Sequence, residues 1–514
     1  MNKKVVAFIL AFALLGIILG GCGTGTDQPQ REQMKELVFA STQTSPSIDP
    51  ADGYSGWFTL RYGIGETLFK LDSAMEPVGW LADNYDRVDE LTWKIHLRDN
   101  ITFQNGKPMT GDAVKASLER TLQLNDRAPS TLRIAEISVE GQTLTITTSE
   151  PNPTLINGLA DPFACIIDVK AEGDITTEPV GTGPYKVKEF VPKTSTLVTK
   201  YEDYWNGKPK LDQVKIITIS DGDTMTMALQ SGQIDASQGM PYSSHKLFEN
   251  NPDYKITSAS TSRVFMVYYN FKNKFLNNPN VRKAISLAID KESYSSVLLN
   301  GSGEPAVGAF PAALPYGSSK VKAESFNLDK AKALLEQEGF KDSDGDGILD
   351  KDGEKLSFKL VTYSSRVELP ILSQALQSQL KALGIEVQVE VSEDINNRLK
   401  AGDFDLAAYA YVTTPTGDPL SYLDYVFKTD GVSNFGRYSN PQVDELIEEL
   451  RKEFQRENRS GLAIQIQQLA LDETAFTFMA HLEMAFVMKA NVVGLEVHPT
   501  DYYQINVDTD IVEK

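Results

Sequence analysis

Apolar residues recur along this chain at two spacings, and the switches between them set out its elements. An unbroken apolar run at residues 5–19 is followed at 23–33 by a polar, glycine-rich stretch with the composition of a flexible tether. Residues 36–40 read as a short buried strand. Pro46 and the pair Asp49-Pro50 mark a loop, and the apolar positions of residues 58–68 predict a helix. Residues 92–97 alternate as a strand does. At 110–122, Ala113, Val114, Leu118 and Leu122 fall at helical spacing behind Thr110, whose hydroxyl suits a helix N-cap. Residues 134–140 and 143–148 flank Gly141-Gln142 and predict a hairpin. Farther on, helices are predicted at 328–338, 368–383, 394–400 and 442–454, with strands at 357–362, 385–391 and 406–411. Gly339 and Gly384 stop the first two helices. Strands and helices in alternation imply an α/β fold around a largely parallel sheet.

Composition narrows what such a fold does. Of 514 residues, 41% are hydrophobic and 23% charged, which excludes disorder and collagen-like repeats and permits a large core. Asp plus Glu number 70 against 50 Lys plus Arg, and a net charge of −20 is a poor match for nucleic-acid phosphates. Lys3 and Lys4, the apolar run and then Gly20, Gly21 and Cys22 follow the order of an export signal. Leu19-Gly20-Gly21-Cys22 resembles the lipobox of bacterial lipoproteins. That resemblance implies a signal peptide at 1–21, a lipid on Cys22, a tether at 22–34, and an extracytoplasmic protein held to the cell membrane by its lipid alone. The only other cysteine, Cys165, then has no disulfide partner, so stability must come from the core.

Catalytic constellations are missing. His96, His245, His481 and His498 are scattered without zinc-hydrolase spacing, and there is no G-x-S-x-G, G-x-x-x-x-G-K or G-x-G-x-x-G. The expectation is a protein that is not an enzyme and requires no cofactor. Asp342, Asp344 and Asp346, followed by Gly347, match the opening half of a calcium loop. Gly353 stands where a bidentate glutamate would close it, so a structural calcium site and a plain acidic turn both remain open.

Several motifs, in order, carry a family resemblance. Pro179-Val180-Gly181-Thr182-Gly183-Pro184-Tyr185, followed by Tyr201, Tyr204 and Trp205, resembles a signature of the extracytoplasmic solute-binding proteins of family 5, the receptors of peptide and nickel ABC importers. Leu97-Arg98-Asp99 with Phe103, Asn105-Gly106 and Asp112 is similar to a second family motif, and Leu229, Ser231-Gly232 and Ile234-Asp235 to a third. Val281-Arg282-Lys283-Ala284 with Ala288-Ile289-Asp290, and Tyr438-Ser439-Asn440-Pro441 with Asp444, resemble two more. The glycines of the first motif suggest backbone angles closed to other residues, hence architecture before ligand contact. Asp235 and Asp290 are expected to brace or cap.

The resemblance implies a two-lobed, periplasmic-binding-protein-like α/β fold of the type II, flytrap kind. Lobe one would take residues 35–70, 178–262 and 487–514, with an extra subdomain at 71–177, and lobe two residues 263–486. Such a receptor closes over its solute because the ligand bridges both lobes and favours the closed state. It would be a monomer that delivers cargo to an importer's permease and ATPase. A secreted hydrolase of a small peptide-like substrate is the alternative.

The solute is harder to read. Peptide-binding members hold the α-ammonium with an aspartate four residues before the proline of a D-P or E-P pair. Here Pro415 occupies that place before Asp418-Pro419. Nickel-type members carry tryptophan and tyrosine where Thr413 and Thr416 stand, and an arginine near the place of Ala164. Peptide is placed just ahead of a nickel chelate because the wider family is broad. Position in the α/β pattern nominates Tyr54, Trp57 and Arg61 after the first strand, Thr413, Thr416 and Asp418 after a later one, and Asn434 and Arg437 in a polar loop. Arg61 or Arg437 would meet the carboxylates of a chelate.

Overall fold

The computed structural model describes residues 34–43 and 45–513, so the export signal, Cys22 and nearly all of the tether lie outside the described residues. Its backbone is one mixed sheet of 11 strands among the described residues. From one edge the strands run Glu386–Val391, Ser357–Thr362, Leu406–Val412, Tyr254–Tyr269 and Phe476–Lys489. Across the middle they continue as Ala236–Gln238, Glu36–Ser41, Gln213–Thr218, Ser195–Lys200 and Tyr185–Val191. Gly303–Pro305 pairs beside Phe476–Lys489.

The expectation of a largely parallel sheet needs correction. Parallel pairing is confined to Ser357–Thr362 with its two neighbours and Glu36–Ser41 with its two neighbours. The remaining pairs are antiparallel; the chain crosses from one lobe to the other on Tyr254–Tyr269 and returns on Phe476–Lys489, paired from Tyr254↔Lys489 to Tyr268↔Phe476. The lobe boundaries expected near residues 263 and 486 therefore fall inside two continuous strands. Neither strand is evident from alternation: residues 264–269 are all buried, covered on both faces, and read as an unpatterned apolar run.

A separate antiparallel sheet, in the order Ala82–Arg87, Thr92–Leu97, Thr143–Thr148 and Ile134–Glu140, packs under the helix Gly111–Leu124. Thr110 caps that helix, its hydroxyl accepting from the Ala113 amide at 3.3 Å. Trp93, Ile95, Val114, Leu118, Leu144 and Ile146 form its core. Two helices depart from their predicted spans. The first covers only Gly56–Arg61, because Gly63 turns the chain at φ +67°. The helix expected at 442–454 ends at Leu450, and a further helix, Arg456–Asp472, follows; the buried polar Gln467 and Arg459 interrupt its apolar stripe.

The glycines of the 179–185 motif are needed for space rather than for unusual angles. Neither Gly181 nor Gly183 has a positive φ. A Cβ on them would stand 2.2 Å from the Ile64 carbonyl oxygen and 2.3 Å from that of Gly63. Gln104 ties the crossing together, donating to the carbonyls of Ile64, Gly183 and Tyr185 at 2.7–3.0 Å and accepting from the Gly181 amide. Thr182 donates to the buried Glu66, which also accepts from Tyr204 and Trp205. Asp235 braces strands through the Val38 amide and Lys489, and Asp290 caps a helical turn at Ser293. Among the described residues no helix is long and apolar enough to cross a membrane.

Candidate functional site

Where the two lobes meet, three guanidinium groups converge on one carboxylate. Arg61, the last residue of its short helix, is 1% exposed. Its Nη2 lies 2.5 Å from Asp501 Oδ2, its Nε donates to the Asp501 carbonyl at 2.8 Å, and its Nη1 donates to Gln43 at 2.7 Å. Arg263, from the crossover strand, reaches the same Oδ2 at 3.3 Å, and Arg366, from the second lobe, stands 3.8 Å away. The other Asp501 oxygen accepts from Gln238 and Gln504. Burial lowers the pKa of both Arg61 and Arg263, the neighbouring Arg366 adds to the lowering and Asp501 opposes it, and together they leave Arg263 at about 10. Low-dielectric surroundings make this surplus of positive charge expensive unless an anion shares it.

Aromatic rings line the cleft on both sides. On the first-lobe side Tyr54 meets Trp57 edge-on at 5.5 Å, Trp57 meets Tyr502 at 5.8 Å, and the Arg61 guanidinium lies 5.2 Å from the Trp57 centroid. Arg127 stacks 4.3 Å over Tyr54 and pairs with the buried Asp161 at 3.2 Å. From the second lobe come Tyr363, Tyr409 and Tyr411, with centroids 5.4 and 6.2 Å apart along the row. Burial raises the pKa of Tyr409 and Tyr411, and Tyr54 adds to both shifts, which puts the facing rows within electrostatic reach. Among the described residues Trp57 Nε1, Arg127 Nε and the Tyr502 hydroxyl are buried donors without a hydrogen-bond partner. The arrangement offers flat aromatic faces and excess donors, the chemistry of a planar, acceptor-rich anion.

Direct bonds close the mouth. Asn157 donates to the Thr416 carbonyl at 2.8 Å, and the hydroxyls of Thr131 and Tyr425 share a bond of 3.0 Å. Arg87 stacks 4.2 Å over Phe454, Arg456 pairs with Glu76, and Gly417 packs against the Met75 carbonyl.

The residues nominated by position separate into two groups. Tyr54, Trp57 and Arg61 stand together at the cleft, with Thr416 at its mouth. Thr413 is wholly buried and bonds to the Ser262 carbonyl. Asp418 forms a two-point pair with Arg459 at 2.6 and 3.0 Å. Asn434 ties off its own loop through the carbonyls of Lys428, Thr429 and Tyr438, and Arg437 is exposed with φ +64°. Position did not nominate Arg127, Arg263, Arg366, Asp501, Tyr363, Tyr409, Tyr411 or Tyr502. The one local signal was Arg263, a charge immediately ahead of the apolar run Val264–Tyr269.

Of the four histidines, His245 alone shares a small cavity with Arg366, Gln43 and Gln238. His481 is buried against Ser318, and burial holds its pKa down at about 3. His498 bonds Thr500 and the Asp72 carbonyl, His96 bonds Asp86 and Thr143, and His245 packs edge-on to Tyr242. The carboxylates of Asp342, Asp344 and Asp346 gather within 4.8 Å on an exposed loop, where Lys355 pairs with Asp344 and Asp346. Cys165 is a free, buried thiol whose pKa burial raises.

Comparison with known proteins gives a consistent result. Residues 76–434 match the model of the bacterial extracellular solute-binding proteins, family 5, middle part. The chain is 31% identical to the nickel-binding protein NikA of Staphylococcus aureus, over 99% of this chain and 100% of that protein. It is 26% identical to the oligopeptide-binding protein AppA of Bacillus subtilis, over 85% and 84% of the two chains. The crystal structure of NikA from Staphylococcus aureus in complex with Ni(L-His)2 superposes with a TM-score of 0.84, covering 93% of this chain and all of that one.

Proposed function

The chain belongs to the bacterial extracellular solute-binding proteins of family 5, and from that premise we propose that it is the receptor of an ABC importer whose solute is a small metal chelate bearing carboxylates. The observation that carries the choice of solute is the convergence of Arg61, Arg263 and Arg366 on Asp501. Asp501 and Asp161 are both paired to arginine, so neither is free to hold a peptide's α-ammonium, and the buried Glu368 lies in the same small cavity as Arg366, Gln43 and Gln238. The likeness to a protein crystallised with Ni(L-His)2 supports the same reading. The metal would arrive already liganded, and the protein would recognise the chelator through its carboxylates and flat faces.

This family is one of solute-binding receptors rather than enzymes. Arg366, the farthest of the three from Asp501 and the most exposed, is best suited to meet a ligand carboxylate. The lipobox-like Leu19-Gly20-Gly21-Cys22 supports lipid anchoring through Cys22. Cys22→Ala is expected to shed the protein from membranes, and retention there would remove the anchor.

Calorimetric titration of the purified protein with Ni(II) plus L-histidine, Ni(II) alone, and a panel of di- to nonapeptides tests the solute. Saturable one-to-one binding of nickel only with histidine is expected. Tight binding of peptides without metal would favour the oligopeptide reading, and release of a cleaved product would restore the hydrolase.

A further inference from the structure

Two residues apart, where the second lobe faces the first, stand opposite charges that do not pair with each other. Glu368 opens the helix Glu368–Ala382, a place where the helix dipole favours a carboxylate, and Arg366 lies just ahead of it. Both line a cavity of about 20 Å³, room for one group the size of a water or an amine. Gln43 and Gln238 of the opposite lobe line the same cavity, with Tyr242, His245 and Met484.

Nothing in the protein saturates either charge. Arg366 reaches only Asp501 Oδ2, at 3.8 Å, an oxygen that Arg61 and Arg263 already hold at 2.5 and 3.3 Å. Among the described residues its guanidinium donates no hydrogen bond and no cation stands within ion-pair distance of Glu368. Glu368 is 7% exposed, and its Oε2 is buried without a hydrogen-bond partner. The donors around it are committed elsewhere. Burial raises the Tyr242 pKa and the nearby Glu368 raises it further, yet the Tyr242 hydroxyl donates to the Glu483 carbonyl at 2.7 Å. Gln238 donates to Asp501 at 3.1 Å. Burial lowers the His245 pKa, so this ring brings no compensating charge at pH 7. Two unmatched charges of opposite sign in one buried space are costly, and a solute group carrying both complementary partners removes both costs.

We propose that Glu368 is the specificity-determining residue for the solute's amine, so that Arg366 and Glu368 together read the carboxylate and the amino group of an α-amino-acid chelator. The assignment rests on the chelate reading above and narrows it. A metal-bound primary amine keeps N–H donors, so it bonds the metal and Glu368 at once, and the cavity admits its nitrogen but no bulkier substituent. A hydroxycarboxylate chelator such as citrate satisfies Arg366 but sets negative charge against Glu368.

Calorimetric titration with the Ni(II) complexes of L-histidine, N,N-dimethyl-L-histidine and citrate tests this on the parent and on Glu368→Gln. The parent is expected to bind the histidine complex at least tenfold more tightly than either of the others. Glu368→Gln should weaken the histidine complex about tenfold and tighten the citrate complex about threefold, with an unchanged circular-dichroism spectrum. A purely structural role would weaken both complexes alike. Should Glu368→Gln fail to fold, the parent's discrimination against the dimethylated amine decides the matter. Histidine affinity unchanged in Glu368→Gln, parallel losses for histidine and citrate, or equal binding of the dimethylated complex overturns the assignment and leaves the chelate reading standing. Absence of binding of all three complexes to the parent removes that reading and the assignment with it.

Discussion

Arg61 and Arg366 share a carboxylate yet have different work. Arg61 is buried with every donor group engaged, so position in the sequence suggests a ligand contact while its environment makes it a brace. Arg61→Ala is expected to destabilise the fold by about 3 kcal/mol, because it strips Asp501 of its shortest partner in a buried site. Urea denaturation reads this; unchanged stability would return Arg61 to the ligand. Arg366→Met should leave stability intact or improved, since it relieves like-charge repulsion, and weaken nickel–histidine binding about tenfold. Equal affinity for the variant would remove Arg366 from the site. Glu66 supplies a pH test. Burial lifts its carboxyl from 4.5 to about 7, against the donors Tyr204, Trp205 and Thr182. The folded state therefore holds this proton more tightly than the unfolded chain, and its contribution to stability falls as pH rises from about 4.5 through 7. The stability of the parent relative to Glu66→Gln should drop by up to about 3 kcal/mol between pH 4.5 and 8. A flat difference would show that Glu66 ionises normally.

At the scale of elements, local chemistry was legible wherever one residue decides the matter. Thr110 starts a helix because its hydroxyl accepts a free amide, Gly339 and Gly384 end helices at φ +86° and +82°, and Gly141 turns a hairpin at φ +62°. The 179–185 motif was recognisable, but the reason for its glycines was not, since a close approach of distant backbone leaves no local mark. The two reasons separate by mutation. Gly181→Ala forces a Cβ against the Ile64 carbonyl and is expected to cost about 3 kcal/mol or more, whereas Gly141→Ala meets open space and should cost about 1 kcal/mol for its angle. Comparable losses in thermal melts of the two variants would contradict this assignment. The crossover strands escaped notice because burial on both faces erases the alternation that marks a strand.

For the whole molecule the question is closure. Asn157 and Tyr425 each contribute one bond across the cleft mouth, and both bonds exist only when the lobes meet. Asn157→Ala with Tyr425→Phe is expected to shift the population toward open forms. Nickel–histidine affinity should fall about tenfold, mainly through faster release. Stopped-flow kinetics with an unchanged off-rate would exclude these bonds from the latch. The order of strands and helices, their caps and turns, and membership of a solute-binding family were determined by the sequence itself, because periodicity, capping and short motifs are local. The cleft was decided by tertiary structure alone. Arg61 and Asp501 are 440 residues apart, the tyrosine row belongs to the opposite lobe, and a charge is surplus or balanced only once folding has chosen its neighbours and removed its water.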